Sequence, residues 1–276
     1  MSDANTPQDY LRFLGERADA AFDIAEAALM FAALDHPDRS VVSYRKHLSE
    51  IADRARQQSA VAREAEPAGR GLAAILAGHF GYEGDRWHYD DPQNADLMAV
   101  IDRRRGLPVA LGILYIHAAR AAGYAAHGLY APGHFLLSIN AHNHDVLIDP
   151  FAGGAATDHE SLRTPPALVD PNTVADPRAL LPVSDVDVLL RLQFNIRTRA
   201  QQAGNAERAC QITERMLLIA PWRAQLWFDL AKLREDLGTH GAARVALEKC
   251  LTLVKQGEPL HNEAQLTLAA LKRRLN

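Results

Sequence analysis

The chain has 276 residues, of which 48% are hydrophobic, 23% charged and 7% aromatic, a composition that excludes disordered, collagenous and fibrous proteins. No apolar run approaches the roughly 20 residues of a membrane-spanning helix, and the early acids of the N-terminal segment lack the basic-then-apolar order of a signal peptide. Two cysteines, Cys210 and Cys250, are too few for a disulfide scaffold or an all-cysteine metal site, so a cytoplasmic protein without a metal or other cofactor is expected.

The net charge of −4 conceals two opposite balances. From Leu190 onward there are 14 Lys and Arg against 8 Asp and Glu, while the preceding part has 16 against 26. Such an asymmetry points to two modules. Neither part has a dense basic cluster interleaved with aromatics, so neither nucleic acid nor membrane is an expected partner.

In chain order, residues 10–76 read as helical. Leu11, Leu14, Ala18, Ala21, Ile24 and Ala28 recur at three and four residues, the spacing of one buried helix face. His36-Pro37-Asp38 marks a turn, and Val41 to Gln58 forms a second amphipathic stretch before a polar, Ala-rich connector. Gly69 and Gly71 lack the rest of a dinucleotide-binding fingerprint. Residues 80–92 read as an irregular aromatic and acidic stretch, followed by a short helix presenting Leu97, Val100 and Ile101. From Leu107 to Ala122 runs an apolar helix with Pro108 near its start and Gly123 just past its end, the order expected of helix termini. It is apolar all round and belongs in a core.

Three strands are expected next, at 124–130, 135–139 and 145–148, with residues 140–144 as a polar hairpin loop. His142 and His144 then fall in a solvated loop without a third metal ligand. The stretch from Pro165 to Pro182 reads as a linker. The last 85 or so residues repeat at a period of 34. Ile196 recurs as Leu230, Gly204 as Gly238, Ala209 as Ala243 and Leu217 as Leu251, and Trp227, Leu230, Ala231, Gly238, Ala243, Leu247 and Cys250 fall on tetratricopeptide positions. Gln193 and Arg197 depart from that pattern, and Asn262 to Leu275 supplies a capping helix.

Three pieces form a constellation: the helix starting at 106–108 (GLP), the turn at 132–135 (PGHF) and residues 148–151 (IDPF). His134 enters one strand and Asp149 ends its neighbour, so antiparallel pairing is expected to set them side by side near a helix N-terminus. That is the layout of a cysteine–histidine–aspartate site, in which the helix dipole lowers a cysteine pKa and the carboxylate orients the histidine. On the segments YDDPQNADLMAVIDRRRGLPVALGILYIHAARAAGY, APGHFLLSI and LIDPFAGG, the chain resembles the bacterial SirB family, whose members join a transglutaminase-like core to tetratricopeptide repeats. The resemblance implies an α+β fold: a helix-rich, papain-like core with a small antiparallel sheet (residues 1–182), then an all-α repeat module (183–276).

The departure from that family pattern is Pro108. Counting back from Gly123, it occupies the place of the nucleophilic cysteine, and neighbouring Ala110 has no hydroxyl. The leading reading is therefore a non-catalytic, pseudoenzyme-like protein with a regulatory or scaffolding role. It would retain His134 and Asp149 as a vestigial pair and bind a protein or peptide through repeats that include Trp227 and Arg234. The alternative is a hydrolase or acyl-transfer enzyme that uses the same pair with a non-cysteine nucleophile or activated water. A third possibility is a sensor cleft for a small ligand or peptide terminus. Cleft candidates are Arg103, Trp87, Tyr89 and Phe151, with Arg103 able instead to pair with Asp90 or Asp91. His117, on the apolar helix, is expected to be a hydrogen-bonded core histidine.

Overall fold

Pro108 and Gly123 delimit the central element as the sequence suggests. In a computed structural model, which describes residues 6–17, 21–59, 65–131, 134–141, 144–157 and 181–275, this helix runs over Pro108–Ala121, and Gly123 adopts φ +85° just beyond it. The contacts divide the chain into two compact units, Asp23–Leu192 and Met1–Phe22 with Gln193–Asn276.

In the first unit the helices α2 (Ile24–Ala33), α3 (Val42–Ser59) and α4 (Ala65–Ala73) precede a single π-helical turn, Ala74–His79. A short strand β1 (Glu83–Gly84) lies parallel to β2 (Arg105–Gly106), with α5 (Leu97–Arg103) between them in sequence. The central helix, α6, packs against α2 and α3 and against the strands β3 (Ala125–Ala131) and β4 (His134–Ala141). With β5 (His144–Asp149), β6 (Ala155–Thr157) and β7 (Pro182–Val183), these make an antiparallel sheet of order β6-β5-β4-β3-β7.

Side-chain alternation divides the sheet. Phe135, Leu137, Ile139 and Ile148 are buried on the face toward α6, while Leu129, Leu136 and Leu147 form a small cluster on the other. Gly112 and Gly128 let the sheet approach: a Cβ at Gly112 would lie 2.3 Å from the Phe135 ring, and one at Gly128 would lie 2.8 Å from Val188. His117 hydrogen-bonds Asp23 at 3.1 Å and the Leu48 carbonyl at 3.0 Å, tying α6 to α2 and α3.

In the second unit, α1 (Pro7–Gly15) packs on α8 (Ala206–Ile219). A Cβ at Gly15 would meet the Leu218 carbonyl oxygen at 2.0 Å, so this crossing tolerates only glycine. After α8 come α9 (Ala224–Asp236), α10 (His240–Leu253) and α11 (Pro259–Leu275), each packed on the next. Helix α7 (Asp185–Gln202) carries the division between the units at Leu192 and Gln193. The period of 34 is visible in the backbone. Helices α8 and α10 are both 14 residues long and start at residues 206 and 240, and Gly204 and Gly238 both adopt φ +69°. Ala209 and Ala243 are fully buried. Gln193 is itself buried, and Arg197 forms an ion pair with Asp229 at 2.8 Å, so both departures from the repeat pattern are accommodated locally.

Several expectations change. The apolar spacing over residues 11–28 belongs to two helices, because Asp23 accepts hydrogen bonds from the backbone N–H of Ala25 and Glu26 and starts α2 afresh. Part of the expected connector is α4, where Gly69 packs on Val146. His144 is not a loop residue: it pairs with Ala141 in the ladder, which shortens the hairpin loop to 142–143, outside the described residues. Most of the expected linker, residues 165–180, also lies outside them. Compact packing divides the chain at 192/193 and groups α1 with α8 to α11. Among the described residues, no helix is long and apolar enough to cross a membrane.

Candidate functional site

The head of α6 is assembled from the preceding loop. Asp91 caps the 3-10 turn Pro92–Ala95, and Asp96 caps α5 while hydrogen-bonding His36 at 2.7 Å. Asn94, fully buried, donates its side-chain amide to the His88 carbonyl and accepts from Arg103, while its backbone carbonyl takes the Leu107 N–H at 2.8 Å. Gly106 fits against Val100, where a Cβ would lie 3.0 Å from that side chain. The chain then enters α6 with Pro108 in its first turn and no side-chain cap. Proline supplies neither a nucleophile nor an N–H at this point, and its fixed φ favours the helix start.

Among the described residues, no hydrogen bond joins His134 to Asp149. The β4–β5 ladder ends at Leu137 and Ile148, leaving Asp149 one residue beyond it and His134 three. Strand alternation turns the exposed His134 away from Phe135 and therefore away from α6. Its carbonyl accepts from Arg191 at 2.6 Å. Asp149 accepts the backbone N–H groups of Phe151 at 2.8 Å and Ala152 at 3.2 Å. Its neighbour on α6 is Tyr115, whose phenol pKa is raised by burial and further by the Asp149 charge. A Cβ at Gly154, which adopts φ +77°, would lie 2.5 Å from the Tyr115 oxygen. The aspartate thus shapes the turn that brings Gly154 onto α6, and among the described residues no hydrogen bond joins it to His134.

Arg103 is a structural cation and not an open ligand contact. It pairs with Asp85 at 3.0 Å and approaches Asp91 at 3.6 Å. The Asp85 side chain is fully buried. Burial opposes its ionisation, but the His88 N–H, the Asn94 amide and the His88 and Arg103 charges hold its carboxyl below the usual range. Arg104, at φ +60°, turns back to hydrogen-bond His47 and Tyr82. Burial and the Arg104 charge push the His47 pKa down.

Beside this network lies a cleft of about 620 Å³ whose lining includes Gly84, Arg86, Trp87, Arg105, Phe151 and Gly153. Phe151 stacks on Gly84, where a Cβ would lie 2.4 Å from the ring. Tyr89 meets Phe151 edge-on with ring centroids 5.8 Å apart, and Trp87 is 86% exposed. The aromatic candidates therefore gather here, and neither Pro108 nor His134 is among the lining residues. The strand pair β1–β2 and the lining residues Gly84 and Arg86 escaped the sequence reading, because two-residue strands carry no periodicity. Among the described residues, no group of three His, Cys, Asp or Glu could hold a metal.

In α9, Trp227 donates its indole N–H to the Pro221 carbonyl at 2.8 Å. Arg234 bonds the Ala242 carbonyl at 3.1 Å and Glu214 at 2.9 Å. Trp227 thus ties α9 to the turn before it, and Arg234 ties α9 to α8 and α10.

The family model for the transglutaminase-like superfamily matches residues 42–194, more than half of the chain. A "UPF0162 protein" of Xylella fastidiosa is 28% identical over 250 residues, covering 85% of both chains. Another from Pseudomonas aeruginosa is 27% identical over 228 residues, covering 83% of each, and one from Vibrio cholerae is 26% identical over 140 residues, covering 50% of this chain and 52% of the relative. The chain belongs to the transglutaminase-like superfamily.

Proposed function

We propose that this is a non-catalytic, transglutaminase-like protein of the SirB type that works in the cytoplasm as a regulatory or scaffolding component. Its helices 193–276 serve as tetratricopeptide repeats that bind a protein or peptide partner. The observation that carries the reading is Pro108 at the head of α6, together with an Asp149 whose carboxylate accepts backbone N–H groups and, among the described residues, has no hydrogen bond to His134. Acyl transfer needs a nucleophile within hydrogen-bond reach of its base, and this arrangement has neither that nucleophile nor a paired base. The 34-residue recurrence of α8 as α10 supports the repeat assignment.

The test is turnover of peptide, amide and ester substrates by the purified chain and by its His134→Ala and Asp149→Asn variants. The reading expects no turnover above that of buffer. Turnover abolished by either substitution, with the melting temperature of the Asp149→Asn variant retained, establishes a hydrolase instead.

A further inference from the structure

The two short parallel strands leave a free edge. Glu83 donates its N–H to the Arg104 carbonyl at 3.0 Å, and Asp85 donates to the Gly106 carbonyl at 3.3 Å. In a parallel ladder, alternate residues of one strand bond to the same neighbour. The N–H and C=O of the intervening Gly84 therefore point away from β2, and among the described residues neither has a hydrogen-bond partner. Gly84 lines the cleft. Phe151 packs on the face where a side chain would stand, perpendicular to the edge direction, so the ring does not block that edge.

The charge in the cleft is also unbalanced. Arg105 is neutralised by Glu83 at 2.7 Å. Arg86 has no hydrogen bond or carboxylate partner among the described residues, and its guanidinium lies 5.9 Å from the Phe151 ring centroid. Beside it, the exposed Trp87 offers a large apolar surface to a ligand. A main-chain donor and acceptor on one edge residue, next to an apolar wall and an uncompensated cation, are the elements of strand addition by a peptide.

We propose that the cleft beside Phe151 binds an extended peptide bearing a carboxylate side chain, which adds as a third strand at the free edge of β1 and pairs its carboxylate with Arg86. Gly84 exchanges main-chain hydrogen bonds with the peptide, and Trp87 covers an adjacent apolar side chain. None of the residues lining this cleft belongs to α6 or to residues 193–276, and the proposal needs no catalytic step, so it stands whether or not the chain is catalytic.

The probe is a fluorescein-labelled peptide of alternating valine and glutamate, five residues long and amidated, titrated against the full chain by fluorescence anisotropy. Its counterparts carry lysine in place of glutamate or a methyl group on every backbone nitrogen. The glutamate peptide binds saturably, and the lysine form, the methylated form and the Arg86→Ala variant each weaken binding by about tenfold or more, the scale of a charge-assisted hydrogen bond. Equal binding of the glutamate and lysine forms, indifference to methylation, or no saturable binding up to about 1 mM overturns the proposal. Competition by free glutamate or inorganic phosphate as strong as that of unlabelled peptide also overturns it, by moving the site to small anions. The recovered peptide is weighed by mass spectrometry: intact peptide leaves the non-catalytic reading in place, whereas cleaved peptide refutes that reading and leaves the binding site standing.

Discussion

Gly112 and Gly241 both lie within helices, yet their surroundings are opposite. A Cβ on Gly112 would strike the Phe135 ring at 2.3 Å, while one on Gly241 would meet nothing within 4 Å. The first glycine belongs to a unit organised around one buried helix, α6, against which α2, α3, β3 and β4 all pack. The second belongs to a succession of helices in which α9, α10 and α11 each pack on the next. In the first arrangement a change at the centre reaches every neighbour. In the second, it is felt mainly by adjacent helices.

The comparison is broken most directly at Gly112. Gly112→Val destabilises the sheet unit by about 3 kcal/mol or more, since a close-packed interior cannot accept the added atoms without moving β4. Urea unfolding followed by hydrogen exchange is expected to show the loss throughout residues 97–149. A loss confined to α6 would contradict the account of a shared core.

Next in size is the buried ion pair. Asp85→Ala removes the buried anion of Arg103, leaving it only the more distant Asp91, and lowers stability by about 2 to 4 kcal/mol in the same denaturation experiment. An unchanged midpoint would mean that Arg103 reaches solvent without loss.

A third effect depends on pH. Burial lowers the His117 pKa and the Arg56 charge acts in the same direction, but the Asp23 carboxylate and the Leu48 carbonyl outweigh them and raise it above its ordinary value of about 6.5. Both ring nitrogens face acceptors, so the protonated form is the one that satisfies them. The tie is fully present below about pH 6.5 and is lost as pH rises through the raised value. The thermal midpoint is expected to fall over that window, and His117→Gln should flatten the slope. Identical pH profiles would remove His117 from the account.

The smallest effects belong to α10 and α11. Gly241→Ala should be neutral or stabilising by up to about 1 kcal/mol. Arg274→Ala, which loses an exposed pair with Glu235 at 3.2 Å, should stay within about 0.5 kcal/mol by calorimetry. A larger loss at either position would show tighter coupling among these helices than their packing implies.

Long periodic features were legible in the sequence. Pro108 and Gly123 delimit α6, the spacing of Leu97, Val100 and Ile101 marks the buried side of α5, and the period of 34 survives as a repeated helix. Lone polar residues were harder to read. Asp149 looks like a catalytic carboxylate until its oxygen is seen accepting from Phe151 and Ala152. Arg103 looks like an anion ligand until Asp85, 18 residues earlier, is found buried against it. In both cases the partner depends on tertiary placement that local spacing does not encode, although the expected approach of Arg103 to Asp91 is present at 3.6 Å. The free edge at Gly84 was invisible for a related reason: a two-residue strand has no pattern of its own.

The central claim is that the head of α6 has no coupled base, and Pro108→Cys tests it most directly. The alkylation rate of the new thiol by iodoacetamide is measured against pH, with and without His134→Ala. The native Cys210 and Cys250 are buried and add little background. The helix N-terminus is expected to hold the thiol somewhat below its ordinary pKa of about 8.5. The account predicts the same pKa in both backgrounds. A pKa that rises by about one unit or more when His134 is removed would place the imidazole within reach of the thiol and contradict it.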